Sequence, residues 1–410
     1  MTPGAPPPGD PAPADGGLPT SAVIEAAGRP LSFYVHVPYC RTRCGYCDFN
    51  TYTASELGPG ASRDSWAATA IAEIDLARRV LPDVAGVGTV FFGGGTPTLL
   101  PPDDLGDVLA AIDDRFGLLA GAEVTTESNP DSVDAADLAR LRERGFNRIS
   151  FGMQSATPHV LQLLERTHRP GRPQEAAREA RAAGFESVSL DLIYGTPGES
   201  AADWQHSLEA ALEAEPDHVS AYALIVEEGT RLGARVRRGE VPMTDDDDHA
   251  DKYLQTEQTL TTAGFSAYEV SNWARPTRSD ETRVDHRCAH NLAYWQGGHW
   301  WGIGPGAHSH VGGVRWWNVK HPAAWSGRLA AQESPAQARE VLDADTRRVE
   351  RVLLELRLSD GLDLAVLTER ERRRVDDLVR RELAMINNQR LILTLPGRLL
   401  ADGIVRDLLD

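Results

Sequence analysis

Lysine is almost missing from this chain: Lys252 and Lys320 are the only two among 42 basic residues, the rest being arginine. That habit of composition carries no functional weight. Basic charge is scarce too, because 60 acidic residues leave a formal net charge of −18. A negative surface repels phosphate backbones and anionic lipid, which argues against nucleic acid and membrane surfaces as partners. Long apolar runs are absent, and no stretch approaches the length that spans a bilayer. With neither an export signal nor a span, the expected location is the cytoplasm. Cysteine is rare as well: four in 410 residues cannot staple a disulfide scaffold. Three of them, Cys40, Cys44 and Cys47, fall within one short stretch, so they serve metal or chemistry. Cys288 stands apart and reads as a small buried hydrophobe.

What is present is an ordinary globular composition, 41% apolar, enough for a substantial core and two or three domains. Residues 1–30 are rich in Pro, Gly, Ala and Asp and read as a disordered leader. From Leu31 onward a short β-rich run, a polar or glycine-rich loop and an amphipathic helix recur. The runs are 32–37, 87–92, 123–126, 148–151, 187–193 and 218–222, with helices predicted at 62–80, 103–113, 134–144, 157–164, 173–183 and 201–214. Such alternation predicts an α/β fold of parallel strands, an incomplete (βα)6 TIM-like barrel over residues 31–270. A Trp-, His- and Gly-rich segment follows over 271–335. The acidic run Asp245–Asp248 reads as a helix start. Residues 336–410 carry helices at 346–358, 364–368 and 370–386, a strand at 391–394 and a turn at 396–398, a pattern resembling a small winged-helix-like domain. Its balanced charges point to a structural or partner-docking role.

Active-site residues of such a barrel follow the strand ends. The cysteine loop follows the first strand, Gly93-Gly94-Gly95-Thr96-Pro97-Thr98 the second, Glu127 ends the third, Gln154 follows the fourth and Asp191 lies near the end of the fifth. Singly, each has a bland reading as turn, cap or solvated side chain; their shared position is the signal. Three thiols in one loop cannot close a tetrahedral zinc site without a fourth ligand such as His36 or Cys288. A [4Fe-4S] cluster instead tolerates one iron open to an external ligand. The amine and carboxylate of S-adenosylmethionine can chelate that iron, and one electron then cleaves the sulfonium to a carbon radical.

Tyr34-Val35-His36-Val37-Pro38-Tyr39-Cys40, the cysteine spacing and the 93–98 run resemble the radical S-adenosylmethionine superfamily. Within it the chain is similar to the branch that contains oxygen-independent coproporphyrinogen III oxidase and the heme chaperones of the HemW type, from about Leu31 to the C-terminus. The resemblance implies that Cys40, Cys44 and Cys47 hold the cluster and that Tyr34 and Tyr46 flank the cofactor. It also implies that Gly94, Gly95 and Thr96 carry the methionyl amine, that Glu127, Gln154, Arg166 and Asp191 contact carboxylate, ribose or adenosine, and that Ala223 lines the pocket.

Two features separate the members of that branch. The oxidase has a further cysteine two positions after the third cluster cysteine, where this chain has Phe49, and it has a longer N-terminal extension. The run His290-Asn291-Leu292-Ala293-Tyr294-Trp295 matches the HNxxYW motif of the heme chaperones. Heme iron takes a His, Tyr or thiolate ligand and the porphyrin takes aromatic walls, which makes His290, Asn291, Tyr294 and Trp295 the expected heme contacts. Cys288, His299, His308 and His310 compete for the iron. The expected protein therefore binds cluster, S-adenosylmethionine and heme, receives an electron from a donor and passes heme to an acceptor protein. The alternatives are a radical decarboxylase of coproporphyrinogen and a structural zinc protein.

Overall fold

The central strands alternate between two kinds of side chain. Along Ser187–Tyr194, Val188, Leu190 and Leu192 are fully buried on one face, while Ser189 and Asp191 occupy the other; Arg148–Gln154 sets Ile149 and Phe151 against Arg148 and Ser150 in the same way. The period of two puts the apolar row under the helices and the polar row inside. A buried polar row lines a site.

The computed structural model describes residues 8–57, 62–276 and 285–410. Among these the first thirteen strands are β1 (Asp10–Pro11), β2 (Pro30–Val37), β3 (Gly86–Gly94), β4 (Leu118–Ser128), β5 (Arg148–Gln154), β6 (Ser187–Tyr194), β7 (His218–Ala223), β8 (Ser266–Ala267), β9 (Asn272–Ala274), β10 (Trp300–Ile303), β11 (His308–Val311), β12 (Val314–Asn318) and β13 (Ala336–Val341). They form one sheet in the order β1-β13-β12-β11-β10-β2-β3-β4-β5-β6-β7-β9-β8. Strands β2 to β7 are parallel neighbours in chain order. The intervening helices are α2 (Trp66–Val80), α3 (Pro102–Phe116), α4 (Ala135–Glu143), α5 (Pro158–Leu163), α6 (Arg172–Ala182) and α7 (Ala201–Leu212), preceded by α1 (Thr20–Ala26). This is the expected six-unit α/β barrel core. Asp134 and Ser200 start α4 and α7 with reciprocal capping boxes. After α8 (Arg231–Arg237), Asp245 caps α9 (Asp246–Thr262), as the acidic run predicted.

Three expectations change. Residues 8–30 are not a disordered leader: β1 pairs antiparallel with β13, and α1 buries Ala22 and Ala26 completely; residues 1–7 lie outside the described residues. The small residues of this stretch show no local packing signal, because partners such as Gly312 for Ala22 and Arg339 for Asp10 come from the far end of the chain. The 271–335 segment is not separate from the barrel, since β10 runs parallel to β2 and extends its sheet through β11 and β12; its positions 277–284 lie outside the described residues. The sheet also claims β13, so the C-terminal unit begins at α12 (Ala344–Glu355), not at 336.

That unit holds α12, β14 (Leu362–Asp363), α13 (Glu369–Arg380), β15 (Ala384–Asn387), β16 (Arg390–Leu393), α14 (Leu395–Leu399) and α15 (Ala401–Leu409), with its own apolar cluster around Val352, Leu362, Val375 and Leu391. The helix expected over 370–386 stops at Arg380 because Glu382 takes a left-handed φ of 55°, and the chain then enters β15. The sheet order β14-β16-β15 suits a winged-helix-like arrangement. The expected turn at 396–398 lies instead in α14. Arg370 and Arg374 donate to carbonyls at the C-terminal end of α15, which packs against α13. No helix among the described residues is long and apolar enough to cross a membrane.

Candidate functional site

Two places in the barrel gather chemistry: the mouth at the C-terminal strand ends and a polar floor closed by α10 (Ala289–Trp295).

At the mouth, the cysteine loop leaves β2 and is fastened at several points. The Cys40 amide donates to the Tyr52 carbonyl (3.0 Å), that of Gly45 to Leu164 (3.2 Å) and that of Leu232 to Gly45 (2.8 Å). All four cysteines are free thiols. Among the described residues no three His, Cys, Asp or Glu side chains converge tightly enough to hold one metal ion. A single zinc needs ligands about 2.3 Å from one centre. Neither extra ligand for zinc is at hand: both ring nitrogens of His36 are taken, by the Tyr34 hydroxyl and the Asn50 carbonyl (2.9 Å each), and Cys288 lies at the floor. Burial pushes Cys47 up to about 11 and raises Cys40, so metal entering this loop must displace protons.

The glycine run is stitched to β2 through Gly95 N to Val37 O and Thr96 N to Tyr39 O, both 2.8 Å. Gly94 has φ 107°, and its amide donates to Glu127 (3.0 Å). A Cβ on Gly95 would sit 2.5 Å from the Tyr39 carbonyl, so only glycine lets the two loops meet. Glu127 is pushed up to about 7, first by burial and then by the charge of Asp191, against the Gly94 amide. Asp191 accepts from Ser150 Oγ at both oxygens (2.9 Å each), and burial raises it against the pull of the Ser220 and Ser150 hydroxyls. Gln154 stands at φ 64°, where β5 slips in register against β6. Arg166 donates to Gly152 O (2.7 Å) and Asn129 Oδ1 (3.2 Å), and reaches Cys44 Sγ at 3.5 Å. Its Nε is buried without a partner among the described residues. A cationic N–H left unpaired beside a thiol suits an incoming carboxylate, and the acceptors Glu127 and Asp191 suit an amine or ribose hydroxyls. These residues therefore fit S-adenosylmethionine on a cluster.

Tyr34 points into the barrel, where burial and the nearby Glu127 and Tyr294 raise its hydroxyl. Tyr46 packs beside the apolar cluster of Val160, Leu164 and Leu232. Ala223 is half-buried and ends β7, opposite Tyr194. Sequence reasoning passed over Tyr222, Asn129 and Ser150. Tyr222 is 45% exposed, and its neighbours Asp191, Ser220 and Asn272 place it on the barrel interior; the only available signal was its polar step in an apolar strand.

The floor departs from expectation. His290 is 2% exposed, with Nδ1 on Thr89 Oγ1 (2.7 Å) and Nε2 on the Tyr294 hydroxyl (2.8 Å), and it stacks on Phe91 at 5.2 Å. Burial holds it down at about 3, so the ring is neutral. Glu123 accepts the amides of Ala289 and His290, each at 2.9 Å, and Cys288 Sγ lies 3.5 Å from it. Cys288 is buried, as its bland reading had it. Asn291 leans toward Tyr268 and Glu269 at 3.5 and 3.4 Å, and Trp295 ends the helix half-buried. The Tyr294 hydroxyl is engaged by His290. Arg148, enclosed at the floor, and the half-buried Glu123 carry no signal in the sequence, because a charged residue at a strand start reads as solvated.

Residues 34–211 match the Radical SAM superfamily, which sets the class of this site. The heme chaperone HemW of Mycobacterium tuberculosis is 50% identical over 382 residues, 93% of this chain and 95% of that one, and that of Escherichia coli is 37% identical over 288 residues, 69% and 70%. The chain belongs to the HemW family of the radical S-adenosylmethionine proteins. The fold is likewise that of the coproporphyrinogen III oxidase HemN of Escherichia coli, with a TM-score of 0.78 at 22% identity, covering 94% of this chain and 92% of that one.

The mouth makes one quantitative demand. Losing a buried charge-assisted contact costs about 2 to 3 kcal/mol, so Asp191→Ala is expected to weaken S-adenosylmethionine binding at least tens-fold while the cluster absorbance persists. Calorimetry on the reconstituted protein measures it; unchanged affinity would move the pocket elsewhere.

Proposed function

We propose that this chain is a cytoplasmic heme chaperone. Cys40, Cys44 and Cys47 would ligate a [4Fe-4S] cluster, and its open iron would take S-adenosylmethionine between Gly94 to Thr96, Glu127, Gln154, Arg166 and Asp191. Tyr34, Tyr46 and Ala223 would line that site. When bound, this pair supplies one-electron reductive cleavage of a sulfonium, with the electron arriving from a donor protein. Glu127 and Asp191 orient the nucleoside part, and Arg166 anchors the carboxylate. Heme is the cargo, held at the HNxxYW helix by His290, Asn291, Tyr294 and Trp295 and passed to an acceptor protein. The observation that carries the reading is 50% identity to a heme chaperone over 93% of the chain. Phe49, where the oxidase has cysteine, is 61% exposed on the cluster loop and offers no thiol there.

The deciding experiment is anaerobic reconstitution followed by parallel assays of heme binding and coproporphyrinogen turnover. Heme is expected to bind without conversion of coproporphyrinogen III to protoporphyrinogen IX; turnover would overturn the chaperone reading. With His290 as axial ligand, His290→Ala is expected to shift or erase the Soret band, whereas Trp295→Ala weakens binding and leaves the band in place. A wild-type spectrum from His290→Ala would hand the iron to Cys288 or a neighbouring histidine.

A further inference from the structure

We propose that Tyr294 is the gate of the heme-binding imidazole: its hydroxyl occupies the Nε2 position of His290 until iron displaces it. The inference rests on the reading of His290 as the axial ligand and adds how that ligand is prepared and released.

The hydrogen bonds fix the tautomer. Thr89 Oγ1 donates its single proton to Ser32 Oγ at 2.9 Å, so toward His290 Nδ1, 2.7 Å away, it can only accept. Nδ1 therefore carries the proton and Nε2 carries the lone pair, which takes the Tyr294 hydroxyl proton at 2.8 Å. An imidazole with its far N–H anchored and its near lone pair directed outward is the form that coordinates a metal. Among the described residues, the Tyr294 hydroxyl is the hydrogen-bond partner that occupies this nitrogen.

The two side chains differ in freedom. His290 is clamped by Thr89, by its stack on Phe91 and by the hold of Glu123 on its own amide. Among the described residues, Tyr294 has no polar anchor besides His290. Its ring meets His290 at 4.8 Å and Trp300 at 4.7 Å, each edge-on, and it remains half-buried, turned toward Tyr34 and Glu127 inside the barrel. Rotation of Tyr294 would release Nε2 while the contacts of His290 with Thr89 and Phe91 stay in place. The competing histidines share this preparation only in part: His299 accepts from Gly312 N at Nδ1 and so carries its proton on Nε2, His310 donates Nδ1–H to Gly298 O and has the same tautomer as His290 without its ring stack on Phe91, and His308 is exposed with no hydrogen bond among the described residues to set its tautomer.

The test is an anaerobic spectral titration of the full-length, cluster-loaded protein with ferric heme. Tyr294→Phe, which keeps the ring and removes the proton, is expected to bind heme about fivefold more tightly, the worth of one neutral hydrogen bond, with the wild-type Soret position. Thr89→Val, which removes the acceptor for Nδ1–H, is expected to weaken binding by a similar factor. Equal or weaker binding by Tyr294→Phe overturns the gate. Should that variant fail to hold its cluster, infrared difference spectra of the wild-type protein read the gate directly: the Tyr294 hydroxyl is expected to leave its hydrogen bond to His290 on heme binding, and an unchanged tyrosine signal overturns the gate. A wild-type spectrum from His290→Ala refutes the ligand assignment itself, so the two failures are distinguishable.

Discussion

Cys40→Ser, Cys44→Ser and Cys47→Ser are each expected to abolish the broad iron–sulfur charge-transfer absorbance, while Cys288→Ser keeps it. The effect should be all or none. Three thiolates are the minimum the protein supplies to a cluster with one open iron, and serine replaces a soft donor by a poorly matched alcohol. Among the described residues no reserve ligand stands near the loop: His36 has both nitrogens occupied, and Cys288 is sealed against Glu123 at the opposite end of the barrel. Iron and sulfide analysis after anaerobic reconstitution reads the result. Loss of the cluster in Cys288→Ser would sink the assignment.

Glu73→Ala is expected to lower stability by about 3 to 5 kcal/mol. Glu73 lies 1% exposed on α2 and accepts three hydrogen bonds, from Gly304 N (2.8 Å), Asn318 Nδ2 (2.7 Å) and Trp325 Nε1 (2.7 Å). It thereby ties the first barrel helix to the end of β10, to β12 and to α11 (Pro322–Ala330). Alanine would orphan three buried donors and leave a cavity. Burial raises this carboxyl from 4.5 to about 7, against the pull of its three donors. Since the folded value exceeds the unfolded one, the contribution is fully present below about 4.5 and is lost as pH rises toward 7. Wild type should therefore lose stability between those values by a term that Glu73→Gln lacks. Thermal melts at pH 5 and pH 8 measure both effects, and a wild-type midpoint in Glu73→Ala would remove Glu73 from this role.

The six strand–loop–helix units, the cysteine loop and the glycine run were legible because each is local: alternation with period two, helix periodicity and short spacing act within a dozen residues. The same locality misled at both ends. Small alanines near Ala22 signal nothing until Gly312 closes over them, and Glu73 reads as a solvated helix residue until Asn318 and Trp325 arrive from the far side of the sheet. His290 and Tyr294 were found as a motif, but their relation was not. An i to i+4 pair on a helix is readable, yet the direction of its hydrogen bond depends on Thr89 and Ser32, both distant in sequence and on two other strands. The sequence by itself determined the class of fold, the run of thiols and the family motifs, because covalent neighbours carry them. The tertiary structure alone decided which polar side chains face inward, which charges are buried and which nitrogen of His290 holds the lone pair. Those depend on burial and on partners that only the closed sheet brings within hydrogen-bond range.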